Sequence, residues 1–398
     1  MINVNIAKSL KKFILHLCFV IAVLPSIFSC DDSIPYSDRT VLVYLIAENS
    51  LSNNAYSNLD DMVKGVEKGI GSGSLVCYFD PIDAPPSLIQ ITSKGKKTIR
   101  EYSEQNSASP EVMRSVIEEV RSKYPSSSYG LVLWSHGTGW MPPTISASRR
   151  MSTFSTAPYS PLVKRPAATT RAFGQDGNNW MDLKDLQNGI PDKVFDFIMF
   201  DACYMSQIEV AYALKDKTPY IIASPTEVLA TGFPYAEIID NMFVSQLDLK
   251  GICKEYFDYY NNKTGFNKSA TIALIKTEKL QQISELAKVI YMPRLAEIES
   301  FNVSALQYYD RNYTHTMFDF DQFVRLLAPE EATQFTSLLN DIIVYKAATP
   351  IFLGGNSGGG ITINLENFSG ISTYVPISSY SLLNQSYYLQ DWYRAVYE

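Results

Sequence analysis

Histidine is scarce in this sequence. Only three histidines occur in 398 residues, at positions 16, 136 and 315, and the five cysteines are scattered along the chain. A zinc centre usually takes four cysteine or histidine ligands at short, characteristic spacings. The sequence therefore argues against a structural or catalytic zinc site, and it contains no EF-hand-like loop that would bind calcium.

The cysteines do not suggest a disulfide framework. Cys18 lies in an N-terminal segment that we expect to be removed, and Cys30 is expected to carry lipid, so three cysteines remain. An odd number is unsuited to a set of paired bridges in an exported protein. Cys77 lies in a strand pattern and Cys253 in a helical one, so both are predicted to be buried structural residues. Cys203 is the exception because of its neighbours.

Positive charge is also limited. The chain has 34 Lys and Arg against 41 Asp and Glu, which gives a formal net charge of −7. Nucleic-acid binding needs clustered positive charge to neutralise phosphates. We therefore expect no nucleic-acid partner, whereas binding of basic groups is compatible with this charge.

The N-terminus has the pattern of a bacterial lipoprotein signal. Three lysines precede the apolar stretch from Phe13 to Ile27, which is short for a transmembrane helix. Ile27–Cys30 then resembles a lipoprotein box. We expect residues 1–29 to be removed as a signal peptide, lipid on Cys30 to anchor the chain in the bacterial cell envelope, and residues 30–38 to form a tether. An ordinary secretory signal with an incidental Cys30 is the alternative.

Apolar runs separated by helical patterns predict an α/β fold with a mostly parallel sheet flanked by helices. We assign this domain to residues 39–275, and residues 276–398 to a mixed helical and β-rich C-terminal region. Ser109 is predicted to cap a helix that begins at Pro110. The predicted strands are 40–46, 74–79, 129–135, 195–202 and 220–224, with an exposed hairpin over 90–101; the predicted helices are 53–68, 110–123, 182–188, 235–246, 249–261, 278–298 and 330–346; β-structure is predicted at 360–365 and 370–376.

Two of the predicted strands end in residues that can form a catalytic pair. The run Leu131–Trp134 leads to His136 and Gly137, and the run Phe195–Asp201 leads to Cys203. Ligands bind at the carboxyl edge of an open α/β sheet. A cysteine nucleophile needs a nearby base, and a glycine after the histidine lets a backbone N–H approach a developing oxyanion. His315 lies in a polar stretch and is predicted to be a surface or loop residue.

These segments resemble the clostripain family of cysteine peptidases, which belongs to the caspase-like clan. The resemblance lies in Leu133–Gly137 and Asp201–Cys203, covers roughly residues 39–240, and includes the opening segment Val41–Leu51, where Glu48 replaces the usual aspartate. Ser369–Pro376 gives a further match. The paired motifs, in this order and context, are specific, whereas either alone would be weak.

The resemblance implies a caspase-like fold and a cysteine endopeptidase in which Cys203 attacks the scissile carbonyl and His136 protonates the leaving amine. The N–H groups of Gly137 and Cys203 would form the oxyanion hole. Asp201 matches the acidic residue of the S1 pocket and implies cleavage after Arg or Lys, since a carboxylate binds such cations strongly. Ser224, Thr226 and Glu227 are further S1 candidates. No cofactor is required, and calcium is the one candidate ion because some relatives use it. We expect a monomer acting on protein or peptide substrates.

A Ser-, Thr-, Ala- and Pro-rich insert separates the third and fourth predicted strands, at residues 141–175. Loops of this length are uncommon and often functional. An enzyme that cleaves after Arg or Lys would find sites within it, so we hypothesise that the proenzyme is activated by cutting its own insert. The candidate positions are Arg149, Arg150, Lys164, Arg165 and Arg171. A mobile surface loop with no such role is the alternative.

The sequence also offers two rival interpretations. Gly355–Gly359 fits the Gly-x-Ser-x-Gly pattern of serine hydrolases, but a β-like run follows it where a helix is required. A glycine-rich turn explains it better. The rival of a different class is a catalytically silent binding lipoprotein on the same fold. Retention of His136, Gly137, Asp201 and Cys203 together favours the peptidase.

Overall fold

The computed structural model describes residues 36–141, 172–312, 314–353 and 360–398, and a nine-stranded sheet forms its centre. Its strands are β1 Ser37–Ala47, β2 Ser74–Pro81, β3 Ser87–Thr92, β4 Gly95–Glu101, β5 Ser126–Trp134, β8 Phe197–Asp201, β9 Tyr220–Ala223, β10 Thr271–Lys276 and β12 Ile343–Ala348. They follow one another across the sheet in the order β12-β10-β9-β8-β5-β1-β2-β3-β4. Three small pairs lie outside it: β6 Phe173–Asp176 with β7 Asn179–Met181, β11 Phe318–Asp319 with β15 Ser372–Thr373, and β13 Ile351–Phe352 with β14 Ile361–Thr362.

The five central strands run parallel and the strands at both edges are antiparallel. β2, β1, β5, β8 and β9 pair in parallel, whereas β3, β4, β10 and β12 pair in antiparallel fashion. The carboxyl ends of the five central strands therefore meet at one edge. This arrangement confirms the predicted α/β class with a mostly parallel sheet.

The sheet is covered on both faces, which explains why β1 reads as an almost unbroken apolar run. Leu42, Tyr44 and Ile46 belong to one core, and the alternating residues Val41, Val43 and Leu45 belong to the other. Side chains alternate between the faces of a strand, so both sets must be apolar. The helices are α1 Ser52–Glu67, α2 Pro110–Lys123, α3 Leu183–Gly189, α4 Ile208–Ala213, α5 Tyr235–Phe243, α6 Leu249–Asn261, α7 Leu280–Tyr291, α8 Leu295–Glu299, α9 Phe320–Leu327, α10 Ala332–Ile342, α11 Ser381–Tyr387 and α12 Asp391–Tyr397.

Local signals in the N-terminal half predicted the elements closely. Helix α2 begins at Pro110, and the Ser109 hydroxyl accepts a hydrogen bond from the Val112 N–H at 3.4 Å. Asp182 caps α3 in the same manner through the Asp185 N–H at 2.7 Å. The predicted hairpin is β3–β4. β1 begins at Ser37, so the last residues of the predicted tether already belong to the sheet.

The C-terminal part departs from the prediction in two places. The helix predicted over 330–346 ends at Ile342, and Ile343–Ala348 forms β12, an edge strand that pairs with β10. β-branched and aromatic residues at 343–345 favour this outcome once a neighbouring strand is available. The predicted β-structure at 360–365 and 370–376 is limited to the two-residue strands β14 and β15. The division of the chain at residue 275 stays a prediction.

Several sequence predictions lie outside the described residues. These are the signal peptide with Cys30, the five candidate cleavage sites of the insert, and the whole Gly355–Gly359 motif. The last residues of the predicted insert are ordered in the structure: Phe173 is fully buried in the core and belongs to β6. Among the described residues, no helix combines the length and apolar character that crossing a bilayer requires.

Candidate active site

The candidate catalytic residues follow two neighbouring parallel strands. Trp134, the last residue of β5, is in register with Asp201, the last residue of β8. His136 and Cys203 each lie two residues further on, so both emerge at the carboxyl edge of the sheet. They line one cavity of about 340 Å³, together with Leu51, Trp134, Ser135, Asp201, Ala202, Glu227, Val228, Leu229, Ala230, Gly232, Phe266, Arg311 and Leu353.

The His136 imidazole is held by a residue from the loop that follows β1. Its Nε2 lies 3.0 Å from the Ser50 hydroxyl oxygen, and its ring centroid lies 6.3 Å from that of Trp180. Burial lowers the pKa of His136 below its ordinary value of 6.5, because desolvation disfavours the charged form. The imidazole is therefore neutral at neutral pH and can accept a proton.

The Cys203 thiol contacts the backbone of the loop that follows β9. The Val228 N–H donates to Sγ at 3.3 Å, and the thiol donates to the Val228 carbonyl at 3.7 Å. Burial and the nearby Glu227 carboxylate raise the pKa of Cys203 to about 12, an effect that the Val228 N–H and the Arg311 guanidinium partly offset. No hydrogen bond joins Cys203 to His136 among the residues described. The resting pair is thus a neutral thiol beside a neutral imidazole.

Gly137 permits the close approach of the two strand ends. A Cβ at this position would lie 2.6 Å from the Cys203 carbonyl oxygen and 3.0 Å from the Ala202 Cβ, so any larger residue would push them apart. In the described part of the chain, neither the Gly137 N–H nor the Cys203 N–H donates to a backbone carbonyl. Both donors are therefore available to an oxyanion between the strand ends.

Asp201 forms an acidic part of the same cavity. One carboxylate oxygen, Oδ2, accepts hydrogen bonds from the Phe233 N–H at 3.0 Å and the Tyr235 hydroxyl at 2.9 Å. Gly232, with φ of +71°, leaves room for this carboxylate, since a Cβ there would lie 2.7 Å from Oδ2. Burial raises the pKa of Asp201 to about 7, although its two donors oppose the shift.

The three further S1 candidates are not equivalent in the structure. Glu227 lines the cavity, but its carboxylate accepts a hydrogen bond from the Arg311 Nε at 2.6 Å. Ser224 and Thr226 were predicted to line the cavity, but neither does. Both side chains are fully buried. Each places its hydroxyl oxygen 2.7 Å from that of Thr271 on β10. These two hydroxyl groups therefore link the loop after β9 to strand β10.

The structure adds residues that sequence reasoning missed. Ser50 lies in the segment that carries the family resemblance, so its position beside His136 could have been suspected. Arg311 comes from the C-terminal region, more than a hundred residues after Cys203, and no local pattern marks it. His315 does not line the cavity; its ring stacks on Tyr308 with centroids 3.5 Å apart. Cys77 and Cys253 are buried and unbridged, as predicted.

Among the described residues, three acidic side chains could hold a metal ion: Glu48, Asp80 and Asp176. None of them lines the cavity. The cavity itself therefore offers a nucleophile, a base, backbone donors and one buried carboxylate.

Comparisons with known proteins agree on the relationship. The Clostripain family model matches residues 43–158 and 159–394. An inactive zymogen of a clostripain-family protease from Parabacteroides distasonis is 34% identical, with a TM-score of 0.77 over 91% of this chain and 99% of that one. A secreted cysteine protease of this type from Bacteroides thetaiotaomicron, iotapain, is 29% identical, with a TM-score of 0.76 over 90% of this chain and 99% of that one.

A curated protein gives a more distant match. The clostripain of Hathewaya histolytica is 22% identical over 232 residues, which is 51% of this chain. The match spans 42% of that relative's length.

Proposed function

Because this chain belongs to the clostripain family of cysteine peptidases, we propose that it cleaves peptide bonds with Cys203 as nucleophile and His136 as general acid and base. The Cys203 sulfur attacks the carbonyl carbon while its proton passes to His136, which then protonates the leaving amine. The resulting thioester is hydrolysed by water, and the N–H groups of Gly137 and Cys203 stabilise the oxyanion in both steps. The observation that carries this proposal is one cavity that contains both side chains at adjacent strand ends.

We further propose that the substrate residue before the cleaved bond is Arg or Lys. Asp201 supports this choice because it is a buried carboxylate on the cavity wall. Trp134, Val228 and Phe266 supply apolar surface in the same cavity, which suits the aliphatic stem of a long basic side chain. Glu227 is less suited to bind the cation because it is already paired with Arg311.

Hydrolysis of fluorogenic peptides ending in Arg, Lys, Asp or Ala tests this specificity. We expect the Arg and Lys peptides to be cleaved with kcat/KM on the order of a hundredfold or more above the others. The purified protein is assayed before and after limited trypsin cleavage of the insert, with trypsin then inactivated by a serine-directed inhibitor. Turnover of Asp peptides alone would remove the proposed pocket, and no turnover in either state would favour a silent binding protein.

We propose that cleavage within the insert activates the enzyme. Both ends of the insert are fixed beside the cavity: the Thr138 N–H donates to the Ala172 carbonyl at 3.0 Å, and the Gly174 N–H donates to the His136 carbonyl at 3.0 Å. β5 precedes the insert and β8 follows it, and these two strands pair with each other. The two fragments would therefore stay associated, and the loop between the fixed ends would be opened beside the site.

We also propose that the protein is exported and anchored to the membrane by lipid on Cys30. The sequence of the N-terminal segment supports this proposal. In a bacterial host, we expect the protein to partition into the membrane fraction and to incorporate labelled fatty acid. The Cys30→Ser variant should lose the label, since thioether attachment requires the thiol, and should leave the membrane fraction. Labelling that persists in this variant would exclude Cys30 as the anchor.

A further inference from the structure

Two charged side chains form an ion pair on the wall of the cavity that contains Cys203. Glu227 lies in the loop after β9, and Arg311 comes from the C-terminal region. The Arg311 Nε donates to the Glu227 Oε2 at 2.6 Å, and both residues line the cavity. Their side chains are only 25% and 21% exposed, so solvent screens this pair less than it screens an ion pair at the surface.

Glu227 is joined to the nucleophile through the next residue. The Val228 N–H donates to the Cys203 Sγ at 3.3 Å, and the thiol donates to the Val228 carbonyl at 3.7 Å. The position of Glu227 therefore affects both the charge and the hydrogen bonds around the sulfur. The Glu227 carboxylate opposes formation of a thiolate, whereas the Val228 N–H and the Arg311 guanidinium favour it.

Arg311 is held in place by the chain on either side of it. The preceding residue, Asp310, is fully buried. Its Oδ2 accepts hydrogen bonds from the N–H groups of Thr316 at 2.8 Å and Met317 at 3.0 Å, and its Oδ1 accepts one from the Asn312 N–H at 3.0 Å. A side-chain carboxylate that satisfies several backbone donors fixes the course of a loop. The guanidinium therefore reaches the cavity from a loop of defined position.

We propose that Arg311 is a positioning residue for the nucleophile: its guanidinium holds the Glu227 carboxylate and offsets its charge, which keeps Cys203 reactive. This role follows from the proposed function of Cys203 as nucleophile. Without the arginine, the carboxylate would lie unpaired beside the sulfur and would disfavour a second negative charge there. A lysine would keep the positive charge but would lack the planar Nε donor.

Other titratable groups around Cys203 must stay constant in any test. Burial lowers the pKa of His136 and raises that of Asp201 to about 7. Between about pH 8 and 9, the imidazole is therefore neutral and the Asp201 carboxylate is ionised. Burial raises the pKa of Tyr204 and Tyr256 well above the ordinary value, so both phenols keep their protons. In this range, the charge that is substituted is the one that changes between variants.

The rate at which iodoacetamide alkylates Cys203 measures its reactivity without peptide hydrolysis. The thiolate displaces iodide from this uncharged reagent, so the rate below the pKa of the thiol is proportional to the thiolate fraction. Mass spectrometry of the tryptic peptide 194–215, which contains no other cysteine, reports on Cys203 alone. The full-length purified proteins are alkylated between about pH 8 and 9 before digestion, with the insert in the same state in every sample.

In Arg311→Met, we expect alkylation of Cys203 to slow by about threefold to tenfold, because the unpaired Glu227 carboxylate disfavours the thiolate. In Glu227→Gln, alkylation should be faster than in the wild type. The double variant should react at least as fast as the wild type, because the charge that Arg311 offsets is no longer present. This dependence of one substitution on the other measures the coupling between the two side chains.

Arg311→Lys should stay closer to the wild type than Arg311→Met, because it keeps the positive charge. Misfolding would not imitate the expected slowing, since an exposed thiol has a pKa of about 8.5 and reacts faster. Cys77 and Cys253 are buried in the fold, so they should stay protected from iodoacetamide in every variant that folds.

Arg294→Met is the matched control. Arg294 pairs with Glu331 at 2.9 Å, with side chains 21% and 29% exposed, and neither residue lines the cavity. This variant should alkylate at the wild-type rate. Slowing of the same size in Arg294→Met would overturn the proposal, as would equal rates in the wild type and Arg311→Met.

A double variant as slow as Arg311→Met would also overturn it, because Arg311 would then act without Glu227. The catalytic proposal can fail separately. If the alkylation rates follow the expected order in a protein that cleaves no peptide, the role of Arg311 stands and the peptidase does not. If the wild type cleaves peptides while all variants alkylate at one rate, the reverse holds.

Discussion

In the Cys203→Ala variant, hydrolysis of Arg and Lys peptides is expected to fall by on the order of 10⁴-fold or more. Cys203 is the proposed covalent nucleophile, and Ala202 and Tyr204 offer no substitute sulfur or base. The N–H donors and the Asp201 pocket stay in place, so substrate should still bind. The measurement is kcat/KM for the best peptide in the panel, together with the affinity of the variant for the uncleaved peptide.

Cys253→Ala is the matched control for this loss. Cys253 carries the same thiol on α6, but it is fully buried and does not line the cavity. This variant should keep its activity and lose only a small amount of stability. A thiol-directed probe with lysine or arginine at its recognition position should label the wild type and Cys253→Ala, and leave Cys203→Ala unlabelled. Activity retained in Cys203→Ala would refute the proposed nucleophile.

The Cys203→Ala variant also decides whether the insert is self-cleaved. If the insert is self-cleaved, purified Cys203→Ala stays as one chain while the wild type separates into two fragments on a denaturing gel. Added wild-type enzyme would then show whether one molecule cuts another. Cleavage of pure Cys203→Ala at the same bonds would exclude self-processing.

The sheet could be predicted from the sequence because its central strands are covered on both faces. Burial on two sides requires runs such as Val41–Ala47, and such runs are visible without knowledge of their partners. β12 was missed because an edge strand carries a weaker signal. Ile343–Ala348 is partly exposed, and its conformation depends on β10 from a distant part of the sequence. Local propensity alone extended the preceding helix into it.

The site residues at strand ends could be predicted from the sequence. Those that depend on the conformation of loops could not. His136, Cys203 and Asp201 reach one cavity because β5 and β8 are neighbours with matched ends. Ser224 and Thr226 follow β9 directly, and for that reason the sequence predicts them on the cavity wall. A polar side chain in a loop can nevertheless turn inward, as both do. Arg311 depends on long-range packing, which no local pattern encodes.

The second large effect is expected at Asp201. In the Asp201→Asn variant, kcat/KM for Arg and Lys peptides should fall by on the order of a hundredfold or more, because removing one partner leaves the substrate cation buried without its counter-charge. A peptide with citrulline, the neutral isostere of arginine, should be cleaved by wild type and variant at similar rates. The ratio of kcat/KM for the arginine peptide to that for the citrulline peptide is therefore the quantity to measure.

Glu227→Gln is the control, because it removes a negative charge from the same cavity. Glu227 is already paired with Arg311, so this change should alter the ratio much less than Asp201→Asn does. A larger effect at Glu227 would instead assign the cation-binding role to that residue. Retained cleavage of the citrulline peptide by Asp201→Asn shows that the variant is folded, since an asparagine oxygen can still accept from Phe233 or Tyr235.

The pH dependence of the ratio distinguishes a charge effect from a change of shape. Burial raises the pKa of Asp201 to about 7, and only the ionised carboxylate attracts a cation. In the wild type the ratio should therefore rise with pH through about 7, whereas in Asp201→Asn it should be flat. Titration of His136 and Cys203 affects both peptides equally and cancels. A flat wild-type ratio, or a sloping one in the variant, would show that Asp201 is not the group that binds the substrate cation.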